Sequence, residues 1–69
     1  MKTTGIAIIG AGAIAKAHAD AVVRCEHAHI ETIVADNEAQ AKSLAETYHT
    51  AYDTSLAAAL ARTGVDAVS

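Results

Sequence analysis

Gly10-Ala11-Gly12-Ala13-Ile14-Ala15 is the stretch of this 69-residue chain whose residue types and spacing fit a definite chemistry, the holding of a phosphate group. A short apolar run, Gly5 to Ile9, leads into it, and helix-forming residues follow at once. The order is that of a strand, a tight turn and a helix N-terminus in the pattern G-x-G-x-x-G/A. Each small residue answers a steric demand. Gly10 can take the backbone angles of a sharp turn, and Gly12 has no side chain to keep a pyrophosphate from the main chain. Ala15 lets the helix pack close to the strand. The helix start offers unpaired N–H groups and the positive end of a dipole to the anion. Gly10, Ala11, Gly12, Ala13, Ile14 and Ala15 are therefore candidate cofactor-binding positions.

Asp36 is the second anchor, at the end of a second predicted strand. A carboxylate there accepts hydrogen bonds from the adenosine ribose hydroxyls and repels the extra phosphate of the phosphorylated cofactor. No Arg follows it, and Lys42 lies more than a turn into the next helix. Asp36, with Asn37 beside it, thus points to NAD, with NADP left open because Ala rather than Gly occupies position 15. The plainer alternative is that Asp36 only helps Asn37 cap the following helix.

Little else in the chain can carry chemistry. His18 falls about one turn into the first helix, on the side shared by Ile14 and Ala21, near the sheet or the cofactor. A satisfied, partly buried histidine is the commoner case, so it is not assigned as a base. His27 and His29 read as solvated turn residues and His49 as a surface residue, with no further ligands converging for a metal. Cys25 reads as packing near the end of the first helix, and no positive cluster activates it. Catalytic and metal-ligating residues are both expected to be absent.

These candidates must be positioned by alternating elements. Strand one is expected over Gly5 to Ile9, and helix one from Ala13 to Arg24 with Ile14, Ala17, Ala21, Val22 and Cys25 as its apolar positions. Glu26-His27-Ala28-His29 turns the chain into strand two, Ile30 to Ala35. Asn37 caps a second helix, with Gln40 placed to bond back and Ala41, Leu44, Ala45 and Tyr48 as its buried stripe. A short strand around Thr50 to Tyr52 precedes a third helix capped by Asp53 or Thr54, with Leu56, Ala59 and Leu60 inward. Gly64 stops that helix, and Val65 to Ser69 begin a fourth strand. The result is α/β, βαβαβαβ, with a parallel sheet and right-handed crossovers in the order 3-2-1-4. Ending within strand four leaves the most apolar strand thinly covered, so residues 1–69 read as the N-terminal part of a longer protein.

Composition narrows the function classes. Ala dominates the apolar half of the chain, and Tyr48 and Tyr52 are its only aromatic residues, so no base-stacking platform exists. A net charge of −3 with scattered Lys and Arg carries no nucleic-acid footprint. One cysteine excludes an internal disulfide and suits a reducing compartment, so the cytoplasm is the expected location. No apolar run approaches membrane-span length. Lys2 and the following apolar stretch superficially mimic a secretory leader, but the glycines fall at turn spacing and a second strand–helix unit follows.

Gly5 to Ala15, His18, Asp36 and Gly64-Val65-Asp66-Ala67-Val68-Ser69 together resemble the N-terminal domain of the glucose–fructose oxidoreductase/inositol dehydrogenase/MocA (Gfo/Idh/MocA) family. The resemblance spans the whole chain but only the first part of the family's fold. It implies a Rossmann-type dinucleotide-binding domain and a parent enzyme that transfers hydride between NAD(P) and a sugar, cyclitol or related hydroxyl compound. It also implies a homo-oligomeric parent that binds a small-molecule substrate. The family's Thr-Pro segment, its Glu-Lys-Pro motif and its substrate domain have no counterpart here, so this chain by itself carries no catalytic segment. Two other readings remain open at this level: a non-catalytic NAD- or adenine-nucleotide-binding module, and an inert truncated piece near zero net stability.

Overall fold

The computed structural model describes residues 3–10 and 12–69. The elements run β1 (Thr4–Ile9), α1 (Ala13–Arg24), β2 (Ala28–Val34), α2 (Glu38–Tyr48), β3 (Ala51–Asp53), α3 (Leu56–Leu60) and β4 (Ala67–Val68). All strand pairs are parallel, in the order β3-β2-β1-β4. This is the α/β architecture and strand order expected, with boundaries shifted by one or two residues.

The order explains which face each helix covers. From β1 through β3 the chain steps in one direction across the sheet, so right-handed crossovers put α1 and α2 on the same face. The connection from β3 to β4 reverses direction and must pass to the other face, carrying α3 with it. Two core clusters follow. On the α1/α2 side, Ile8, Ala15, Ala19, Ile33 and Ala45 are buried, flanked by Ile6, Val22, Ile30, Leu44, Tyr48 and Tyr52. On the α3 side, Ala7, Val34 and Ala59 are buried with Val65 packed against them. Alternation along β1 delivers Ile6 and Ile8 to one cluster and Ala7 to the other.

Helix α2 packs as its pattern predicts. Asn37 Oδ1 accepts from the Gln40 backbone N–H at 3.0 Å, and Ala41 and Ala45 are buried. His49 ends the helix in the left-handed region at φ 55° and is exposed. Tyr48 donates its hydroxyl hydrogen to Asp20, tying α2 to α1, and the carboxylate acceptor raises the phenol's pKa.

Five local expectations are corrected. Helix α1 buries Ala15 and Ala19, with Val22 half-buried, whereas Ile14 is 75% exposed and Ala17 and Ala21 also face outward. Ala15 lies beside the turn before the helix, where a β-carbon on Gly10 would stand 3.7 Å from its methyl, and it is the residue of the first turn that is buried. Ile14, one residue earlier, is thereby rotated about 100° away. Cys25 is exposed rather than packed, at the C-cap where the chain leaves the helix in an extended conformation. Helix α3 is only five residues long, so Ala59 alone is buried while Leu56 and Leu60 are about half-exposed. Its cap is Ser55, whose Oγ accepts from Ala58 N–H at 3.1 Å, and not Asp53 or Thr54. His29, expected in a turn, lies in β2, exposed, with its Nε2 3.0 Å from Glu31 Oε1.

Asp53 is drawn elsewhere. Arg62 Nε and Nη2 donate to its two oxygens at 2.7 and 3.1 Å, and buried Thr32 donates its hydroxyl to Oδ2 at 2.7 Å. The Arg62 guanidinium, assisted by Thr32, holds the Asp53 carboxyl below the usual carboxylate range. This fork ties the end of β3 to the turn after α3. At the start of β4, Asp66 exchanges two hydrogen bonds with Gly5, one through its carboxylate at 2.9 Å and one through its N–H at 2.8 Å.

Gly5 is required by that approach, since a β-carbon there would sit 1.8 Å from the Gly64 carbonyl oxygen. Gly5→Ala is expected to destabilise the fold by about 1–3 kcal/mol, the range for overpacking a tight interior, as read by chemical denaturation. An unchanged midpoint would mean that the turn at Gly64 yields freely. Because the Asp53 pKa is depressed on folding, its stabilisation is present above the unfolded carboxyl pKa and is lost as pH falls through the folded value. Arg62→Ala is expected to cost about 1–2 kcal/mol near neutral pH, discounted for the partly exposed guanidinium, and to flatten the acid limb of the stability profile.

Candidate cofactor-binding site

Parallel strands and right-handed crossovers bring every strand–helix turn from β1 to β3 to the carboxyl edge of the sheet. Backbone hydrogen bonds gather them there. Gly10 N–H donates to the Val34 carbonyl at 2.6 Å, and Ala35 N–H donates to the Asp53 carbonyl at 3.1 Å. Gly10, Asp36 and Ser55, from the three successive turns, consequently line one cleft of about 200 Å³ together with Ile9, Val34 and Leu56. Asp36 is exposed at this cleft, one residue beyond buried Ala35.

Gly10 adopts φ +98°, a conformation that L side chains rarely accept, and this reverses the chain from β1 toward α1. Gly12 is the N-cap of α1, with extended backbone angles and no capping side chain. Nothing lies within 4 Å of where its β-carbon would be. Among the described residues, the position is therefore open, with room for a ligand beside it. The first intrahelical bond runs from Lys16 N–H to the Gly12 carbonyl at 3.0 Å, so the N–H groups of the first turn have no partner within the helix.

The other helices show the contrast. The α2 N-terminus is capped by Asn37 and carries Glu38 in its first turn, and α3 is capped by Ser55. Among the described residues, helix α1 has neither a capping side chain nor an acidic residue in its first turn to meet its dipole end. The residues present thus fit a dinucleotide: an open glycine, an uncapped helix start and a carboxylate share one sheet edge.

The remaining candidates are placed as follows. Ala13 and Ile14 are exposed in the first turn of α1, and Ala15 is buried against the strand. Ala11 lies outside the described residues. Asn37 uses its side-chain oxygen on the α2 cap, leaving its amide hydrogens for another partner. His18 is exposed, with Nδ1 3.1 Å from Ser69 Oγ at the end of β4. That contact joins residues 51 apart in the sequence and has no local sequence signal. Thr54, Ser55 and Leu56 are cleft residues that motif reading passed over, although their place after a third parallel strand marks them. Among the described residues, no group of three metal-ligating side chains converges, and no helix is long and apolar enough to cross a membrane.

Residues 4–69 match the sequence profile of the Gfo/Idh/MocA oxidoreductase family, an NAD-binding Rossmann fold. No curated protein sequence matches the chain. Among solved structures, a protein assigned as an NADPH-dependent oxidoreductase from Desulfitobacterium hafniense is 31% identical with a TM-score of 0.90, over 99% of this chain and 20% of that one. A myo-inositol dehydrogenase from Corynebacterium glutamicum is 27% identical with a TM-score of 0.87, over 96% and 20%. The WlbA dehydrogenase from Chromobacterium violaceum, solved with NADH and UDP-GlcNAcA, is 26% identical with a TM-score of 0.86, over 99% and 20%. The chain thus spans about 20% of the length of these relatives.

The open space at Gly12 separates folding from binding. Gly12→Val is expected to change stability by less than about 1 kcal/mol, because the position is a solvent-facing N-cap. The same substitution is expected to lower NAD affinity at least about tenfold by displacing the pyrophosphate from the helix start. Parallel thermal melts and calorimetric titrations check both halves, and undiminished affinity would remove the anion role of this turn.

Proposed function

Because the chain belongs to the Gfo/Idh/MocA oxidoreductase family, we propose that residues 1–69 hold the adenosine and pyrophosphate portion of NAD for a dehydrogenase. The observation that carries this reading is the uncapped start of α1 at the open Gly12, on the same sheet edge as Asp36. In this reading Gly10 makes the turn and Gly12, Ala13 and Ile14 present backbone to the pyrophosphate. Ala11 sits in the same turn, and Ala15 sets the helix against the strand. Asp36 accepts hydrogen bonds from the adenosine ribose hydroxyls, and Asn37 offers its amide beside it. Bound NAD supplies the hydride acceptor, and this chain's residues bind and orient its adenosine end.

The family and the names of its relatives support a substrate carrying a sugar or cyclitol hydroxyl, oxidised or reduced at carbon within a longer protein, and the proposed assembly of that protein is a homo-oligomer. Among the residues of this chain we assign none to proton or hydride transfer. The carboxylate at position 36 favours NAD over NADP, because a 2′-phosphate would be brought against a like charge. The small Ala15 and the NADPH-linked relative keep the phosphorylated cofactor within the reach of substitution. The proposed setting is the cytoplasm, in keeping with a lone, exposed thiol.

Asp36→Ala is expected to weaken NAD binding about three- to tenfold through loss of the ribose hydrogen bonds, and to raise NADP binding relative to NAD. Titration calorimetry with both dinucleotides reads the two effects. Unchanged NAD affinity in this variant, alongside a loss in Gly12→Val, would assign Asp36 to the α2 cap and overturn its ribose role.

A further inference from the structure

Resting on the cofactor reading above, we propose that Asp53, clamped by Arg62, is a positioning residue of the adenosine cleft that fixes where Asp36 stands. The cleft has two walls built from separate strand ends. One is Ala35 and Asp36, leaving β2, and the other is Thr54, Ser55 and Leu56, leaving β3. The two strands run side by side up to the pair Val34 and Asp53. One further backbone bond joins the walls, from Ala35 N–H to the Asp53 carbonyl at 3.1 Å. Beyond it the chains part, one into α2 and the other into α3. Among the described residues, Asp53 therefore carries the last link between the walls before the cleft opens.

The side chain of the same residue is held from two other directions. Arg62 Nε and Nη2 donate to Oδ2 and Oδ1 at 2.7 and 3.1 Å, a fork that fixes the plane of the carboxylate as well as its place. Arg62 Nη2 also donates to the carbonyl of the preceding residue, Tyr52, at 3.5 Å. Thr32, wholly buried in β2, donates its hydroxyl to Oδ2 at 2.7 Å. The Asp53 side chain is 12% exposed, so water competes little for these bonds.

A single methylene separates this carboxylate from the backbone. Holding the carboxylate thus holds the carbonyl that Ala35 N–H meets, and with it the direction in which Asp36 leaves the sheet. Neither Arg62 nor Thr32 lines the cleft, so each acts on a bound adenosine only through Asp53. The turn after α3 is in this way coupled to the ribose subsite without touching it.

The test is calorimetric titration of the full chain with NAD at a temperature where the variants are folded, beside amide exchange at Ala35 read by NMR. Arg62→Ala and Thr32→Val are each expected to lower NAD affinity about three- to tenfold, the worth of one misplaced hydrogen bond at the ribose, and to speed exchange at Ala35. Should Arg62→Ala fail to fold, Thr32→Val and Arg62→Lys read the same contact. Arg62→Lys keeps the charge but cannot reproduce the fork, so it is expected to bind NAD less tightly than the parent chain. Two control variants disturb the fold elsewhere: Gly5→Ala at the start of β1, and Tyr48→Phe between α2 and α1. Both are expected to bind NAD as the parent chain does. Equal losses in the controls would assign the fork to general stability and overturn the proposal. Full affinity in both Arg62→Lys and Thr32→Val would assign any Arg62→Ala effect to net charge, with the same consequence. A parent chain that does not bind NAD would overturn the cofactor reading together with this inference. Parent-like NAD affinity in both Arg62→Ala and Thr32→Val would overturn this inference alone.

Discussion

Helix α1 can approach β1 closely only because the residues between them are nearly without side chains. Gly10 turns with a positive φ that a β-carbon would strain, and Ala15 then fits a methyl against the turn. That contact sets the rotational phase of the whole helix. Ala19 follows Ala15 on the buried face, Val22 follows Ala19, and Ile14 is left in solvent. It also sets the helix's position along the sheet, so that its first turn opens at the carboxyl edge. A larger residue at 15 would lift the helix from the strand and carry its N–H groups away from the cleft. Much of the candidate site is therefore a consequence of one methyl-sized gap.

The second determinant is the reversal of winding between β3 and β4. It places α3 on the opposite face and makes a crevice at the edge of β1. The short segment that performs it is held by polar ties rather than by burial. Asp53 and Arg62 join the end of β3 to the turn after α3, and Asp66 exchanges hydrogen bonds with Gly5. A helix of five residues with one buried side chain contributes little by packing. The fork from Arg62 and the close approach of Gly64 to Gly5 supply what α3 does not. Stability in this half of the molecule is consequently sensitive to pH and to small steric changes.

Several features were legible from residue order alone, and for identifiable reasons. The glycine turn, the acid after strand two and the Asn37 cap are local, each depending on neighbours within a few positions. Strand order followed because parallel crossovers admit few alternatives. The apolar stripe of α1 misled because hydrophobic spacing weighs Ile14 above Ala15, whereas close packing against a sheet selects the smaller residue. Asp53 misled for the opposite reason. An acid just before a helix reads as a cap, and nothing local announces that Arg62 will reach it.

By itself, the sequence determined the alternation of strands and helices, the turn that opens α1, and the class of ligand that such a turn accepts. These are encoded in backbone preferences and short-range hydrogen bonding, which act wherever the residues occur. Only the tertiary structure decided which face of α1 is buried, which side chain caps α3, and which partner takes Asp53. It alone brought Gly10, Asp36 and Ser55 to one cleft and His18 to Ser69. Those outcomes depend on the distance between elements far apart in the chain, and that distance is set by the packing of small side chains between helix and sheet.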